Sequence, residues 1–149
     1  MPVAHYNIAR LRHPPGDPRV AGFVDNVTRV NAVAERSDGF VWRLVDNAAA
    51  PEGAGAYEAL LGDPRLAVSL SVWLSPEALR FFVQQTVHGG FLRRRAEWFE
   101  PWDGPNYVIW PVPAGYIPTV EEGQARLADL ARRGASSEAY DFGWVAAQA

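Results

Sequence analysis

The sequence predicts an α+β fold, a ferredoxin-like sheet built from two split β-α-β halves. Three observations predict it. Strand and helix signals follow one another as β-α-β, a loop, β-α-α-β, and then a helix and a tail. Two helix starts are written plainly, as Asp17-Pro18 and Ser75-Pro76-Glu77, each with a capping side chain followed by proline at the first helical position. The strand segments are apolar on both faces, so the sheet is expected to be covered on both.

The first strand signal is the alternating run at 5–11, which ends at the proline-rich HPPGDP of 13–18. Asp17 and Pro18 then open a helix whose Val20, Phe23, Val24, Val27, Val30, Val33 and Ala34 recur at spacings of three and four, one apolar stripe. Ser37-Asp38-Gly39 closes it, and residues 40–45 alternate as a second strand. Residues 47–55 are rich in alanine, glycine and proline without a period, which predicts a loop, with a short helical turn over 56–61. Residues 66–74 give the clearest strand, carrying Ser69 and Ser71 in an otherwise apolar run. The helix opened by Ser75 shows Leu79, Phe82 and Val83 on one face and stops near His88-Gly89-Gly90. A second helical stretch is expected over 91–99, a last strand over 107–112, and a capped amphipathic helix over 119–133. Residues 1–134 read as one domain and 135–149 as a C-terminal tail. One helix layer covers one face of such a sheet. The simplest partner for the other is a second sheet, from a second copy of the chain.

Composition narrows the function classes. The chain has 149 residues, 48% hydrophobic and 21% charged, which suits one domain with a proper core. A formal net charge of −3 argues against general nucleic-acid binding, and no apolar run approaches membrane-spanning length. Neither a nucleic-acid nor a membrane partner is expected. Cysteine is absent, which removes disulfides, thiolate metal sites and cysteine nucleophiles. That absence, and an N-terminus without a basic-then-apolar leader, fit a cytoplasmic protein. His5, His13 and His88 are scattered singly, and no metal site is expected. No Gly-x-Ser-x-Gly elbow, phosphate loop or dinucleotide fingerprint is present.

Several segments carry a family resemblance: NIARL at 7–11, GFVWRL at 39–44, LSVWLSPEALRFFV at 70–83, HGGFLRRRAEWFEPWDGP at 88–105 and VPAGYIPTVEEGQARL at 112–127. Together they resemble an uncharacterised bacterial domain-of-unknown-function family. That family is grouped with the dimeric α/β-barrel superfamily, which includes the antibiotic-biosynthesis monooxygenase domains. The resemblance implies a protomer whose sheet packs face to face in a homodimer. Related barrels include cofactor-free oxygenases of aromatic polyketides, polyketide cyclases, small isomerases and haem-binding proteins. In the haem-degrading branch an asparagine on the first strand and a histidine late in the helix after strand three surround the porphyrin. Asn7 and His88 match those two places, whereas Phe81 and Phe82 stand where a tryptophan is expected.

The candidate site follows from these residues. His88, near a helix end, is either a general base with a pKa suited to neutral pH or a histidine bonding free helix carbonyls. Asn7 is its expected catalytic companion. Aromatic residues Trp42, Trp73, Phe82, Trp98, Tyr107 and Trp110 either pack the core and dimer contact or line a flat pocket for a small apolar or aromatic ligand. Arg93, Arg94 and Arg95 point about 100° apart on a helix, so they cannot all address one ligand. Arg94 is taken as a substrate contact, and Glu97 is expected to pair with Arg93 or Arg94. The leading reading is a cofactor-independent oxygenase, cyclase or isomerase. The alternatives are haem binding with His88 as axial ligand, and a ligand-binding dimer without catalysis.

Overall fold

The computed structural model describes residues 1–149 except Pro15, 46–62, Pro64, Gly89, 91–92 and Ala149. For Val24, Val87 and His88 it describes the backbone alone. The loop and helical turn expected over 47–61 therefore lie outside the described residues. The elements run β1 (Val3–Arg10), a 3-10 turn (Pro18–Val20), α1 (Ala21–Glu35), β2 (Phe40–Arg43) and β3 (Leu66–Trp73). They continue with α2 (Pro76–His88), α3 (Arg95–Trp98), β4 (Tyr107–Pro111), α4 (Val120–Arg133) and α5 (Phe142–Ala147). The four strands form one sheet in the order β2-β3-β1-β4, and every hydrogen-bonded pair is antiparallel. This is the ferredoxin-like α+β arrangement that the strand and helix order predicts.

The caps act as the sequence indicates. Ser75 Oγ accepts from the Ala78 amide at 3.1 Å, Thr119 Oγ1 from the Glu122 amide at 3.1 Å, and Asp17 Oδ1 from the Arg19 amide at 2.8 Å. Asp17 opens a 3-10 turn first, and the α-helix proper begins at Ala21. The first strand reaches back to Val3. Described residues of the stretch expected to be helical over 91–99 form only one turn, at Arg95–Trp98. Gly39 sits at φ 84° where β2 meets α2, and a Cβ there would lie 2.5 Å from the Ala78 Cβ, so only glycine permits this approach.

The period of two divides the sheet into two faces. Val3, Trp73 and Ile109 lie on the face covered by α1 and α2, in a core with Ala34, Leu79 and Tyr140. Ala4, Tyr6, Ile8, Leu70, Val72, Val108 and Trp110 lie on the opposite face, packed with Val120 and Leu130 of α4. The expectation of a bare second face is thereby corrected. The protein's own α4 covers the β1–β4 half of it, and Gly123 lets the helix rest on the Tyr6 ring, where a Cβ would come within 2.7 Å. The C-terminal segment also reaches the sheet: Tyr140 bridges to Ile109, and α5 follows with its N-terminus capped by Asp141.

Candidate functional site

Strand register brings a row of polar side chains onto the helix-side face. His5 lies between Ser71 and Ile109, and Asn7 lies between Ser69 and Tyr107. All share the face of Trp73, because successive odd positions point the same way and directly paired residues sit about 5 Å apart. Ser69 is exposed, although β3 is an inner strand and the helix layer lies on this side. Among the described residues the helices therefore leave an opening at Ser69, beside Asn7, and its floor is polar rather than apolar as the sequence suggests.

Local bonding sets what that floor offers. Ser69 Oγ donates to Asn7 Oδ1 at 2.6 Å, which commits the amide oxygen and leaves the Asn7 N–H donors for a ligand. The Trp73 indole N–H donates to Ser71 Oγ at 3.0 Å, and its ring stacks on Phe82 of α2 with centroids 4.9 Å apart. Tyr107 meets the His5 ring edge-on at 5.8 Å and packs against Phe142 at 5.6 Å. Its hydroxyl accepts from the Phe142 backbone N–H at 3.1 Å, so the phenolic hydrogen remains free to donate. The C-terminal segment thus walls the β4 side of the opening with Phe142 and, beside it, Trp144 stacked on Tyr140 at 4.6 Å.

Burial keeps this floor uncharged. His5 is buried, and the loss of solvation lowers its pKa to about 4, so the imidazole is neutral at pH 7. Burial likewise raises the Tyr107 phenol above its ordinary value, against a smaller opposing effect of the Phe142 amide, and holds it protonated. The floor presents neutral donors and acceptors from Asn7, Ser69, Ser71, His5 and Tyr107.

The other residues singled out in the sequence fall in different places. Trp73, Phe82 and Tyr107 border the opening with Asn7. Trp110 is fully buried on the opposite face under α4, and Trp42 lies half-buried on that face, packed against the same core. Neither shares a surface with Asn7. Trp98 is buried with Leu11, Val20 and Phe23 in a separate cluster, where its indole N–H has no partner among the described residues. Arg94 is exposed, pairs with Glu97 at 2.7 Å and lies over the Trp98 ring, so it serves the surface of that cluster rather than the opening. Its pairing realises one of the two contacts expected for Glu97. The His88 side chain lies outside the described residues.

The signal for His5 was present in part. Alternation puts His5 and Asn7 on one face, and Ser69 and Ser71 on another strand's face. Only the register shows that those faces are the same. A second concave surface of about 510 Å³ lies beyond the end of this floor, where Ala9 meets Arg12, Arg93, Arg95, Phe99, Glu100, Trp102 and Asn106.

The sheet order and the helix layer define a ferredoxin-like α+β fold. Among solved structures the chain is similar to SnoaB, a cofactor-independent oxygenase from Streptomyces nogalater. The two share 15% identity over 75% of this chain and 93% of that one, with a TM-score of 0.51. Rv0793 from Mycobacterium tuberculosis matches with 13% identity over 78% of this chain and 100% of that one, at a TM-score of 0.53. The NE2512 protein from Nitrosomonas europaea matches with 11% identity over 79% and 95%, also at 0.53. The chain belongs to the family described as Domain of unknown function (DUF3291), whose profile matches residues 2–149. No curated protein matches it.

Proposed function

We propose that the helix-side cleft binds a small aromatic ketone or phenol and catalyses its cofactor-independent oxygenation. The observation that carries this is the uncharged polar floor, Asn7 with its oxygen held by Ser69 and its donors left open, bordered by Tyr107, Trp73 and Phe82. Asn7 N–H and the Tyr107 hydroxyl would donate to a substrate oxygen as it gains negative charge, the geometry of an oxyanion site. A histidine would take the proton from the adjacent carbon. His5 is the histidine the floor carries, and His88 on α2 remains the candidate named from sequence. An anion forming beside His5 favours its protonated form and offsets the basicity that burial removes. The carbanion then passes electrons to dioxygen and forms a C–O bond. Loss of water from the hydroperoxide leaves a new carbonyl, so one ring CH₂ and one O₂ give C=O and H₂O. The same cleft could orient a chain for cyclisation by the same proton transfers. SnoaB supports the reading as an oxygenase that needs no cofactor on this fold, an argument by analogy.

We further propose that the protein is a homodimer. Trp42, Leu44, Leu66 and Val68 form a half-buried apolar row on the face opposite the cleft, beyond the part that α4 covers. A second copy is the partner proposed for that row.

Dioxygen uptake with anthrone as probe tests the activity. The expected result is uptake of one O₂ per anthrone, and a fall of at least about tenfold in kcat/KM for Asn7→Ala with an unchanged melting temperature. Uptake no faster than the uncatalysed rate, with no binding of anthrone, would overturn the reading. An intense Soret band in the purified protein, lost on His88→Ala, would establish haem binding instead.

A further inference from the structure

The groove beyond the end of β1 has a chemistry of its own. Arg12, Arg93 and Arg95 line it, from the end of β1, the turn before α3 and the first residue of α3. Because Arg93 precedes the helix, it and Arg95 both reach the groove while Arg94 turns away to Glu97. Arg12 is fixed in place: its backbone N–H donates to Trp98 O at 2.8 Å and its Nε to Ala96 O at 2.9 Å, which among the described residues leaves its terminal nitrogens open. None of the three has an ion-pair partner among the described residues. Glu100, which also lines the groove, is held by Arg65 at 3.1 Å. Phe99 and Trp102 supply two aromatic walls, and about 510 Å³ is room for a ligand of one or two rings.

Three guanidiniums share this groove with one carboxylate, Glu100, which Arg65 already holds, so the groove carries an excess of positive charge in a chain of net charge −3 and favours an anion. We propose that this groove binds a planar aromatic monoanion, a carboxylate that accepts from the arginines while its ring lies against Trp102 and Phe99. The Glu100 carboxylate on the same wall disfavours a dianion such as a phosphate monoester. The proposal goes beyond the cleft reading and does not depend on it, since no residue of the floor lines this groove.

Calorimetric titration with 2-naphthoate, and with the neutral isostere 2-naphthamide, tests it directly. The carboxylate is expected to bind at least about tenfold tighter, and raised salt is expected to weaken it. The double variant Arg93→Gln/Arg95→Gln is expected to abolish that preference. Both side chains are exposed, so its melting temperature should stay near that of the parent. Trp102→Leu should weaken both probes alike. Equal binding of the two probes, a preference that survives the double variant, or no binding at millimolar 2-naphthoate would overturn the proposal. So would tighter binding of 2-naphthyl phosphate than of 2-naphthoate. Failure of anthrone oxidation leaves these outcomes unaffected.

Discussion

His5 sits between two strands with its imidazole buried, and this has a consequence that pH can expose. The folded protein resists protonating it until about pH 4, whereas the unfolded chain protonates it near its ordinary 6.5. Between those values the unfolded state binds more protons, so stability rises with pH. The contribution is complete above about 6.5 and lost as pH falls toward 4, a change of about 3 kcal/mol for this one group. His5→Gln should therefore flatten the acid side of the stability profile, measured as urea midpoints at pH 7 and 4.5. An equally steep profile in the variant would place the imidazole in solvent. Residues of this kind are only half legible in sequence. Asn7 could be named from its place on the first strand, but the meaning of His5 depends on register with Ser71 and Ile109, which alternation alone does not set. Trp42 and Trp110 illustrate the same limit, since aromatic residues on a sheet look alike until the faces are known.

At the scale of elements, α4 rests on the sheet through one missing side chain. Gly123→Ala gains up to about 1 kcal/mol of helix propensity but drives a methyl to 2.7 Å from the rigid, fully buried Tyr6 ring. Overpacking costs typically about 1–3 kcal/mol, so a net loss is expected, read as a lower melting temperature. A more stable variant would show that α4 stands farther from the sheet. The helix itself was legible, because Thr119, the acidic first turn and the basic last turn mark its ends. What it covers was not, because an apolar stripe does not name its partner. The helix of six residues at Phe142–Ala147 is too short to show a period, and its Asp141 cap is the only local sign of it. Its role beside Tyr107 comes from the strand bridge at Tyr140, a contact between distant parts of the chain.

For the whole molecule, the order of elements was enough to predict the sheet, because two β-α-β halves with antiparallel neighbours have few arrangements. The proposed dimer is a sharper matter. Since α4 takes the β1–β4 half of the outer face, the second copy is expected on the β2–β3 half, with Trp42 near its centre. Light scattering at micromolar concentration should give a dimer mass, and Trp42→Glu should give a monomer, because a buried unpaired charge at a contact is costly. A parent protein that is monomeric at that concentration would contradict the dimer.

Ligand is proposed to bind on the helix side of the sheet, over Asn7. The tryptophan indole N–H groups report on it separately: Trp73 is bonded to Ser71 at the floor, Trp42 and Trp110 lie on the opposite face, and Trp98 lies in its own cluster. A nitrogen-15 spectrum recorded during anaerobic titration with anthrone therefore maps the bound face in one measurement. Binding over Asn7 should give a large, saturable shift of the Trp73 indole signal, with Trp98 and Trp110 unmoved. Shifts at Trp42 and Trp110 with Trp73 unchanged would place the ligand on the other side of the sheet and contradict it.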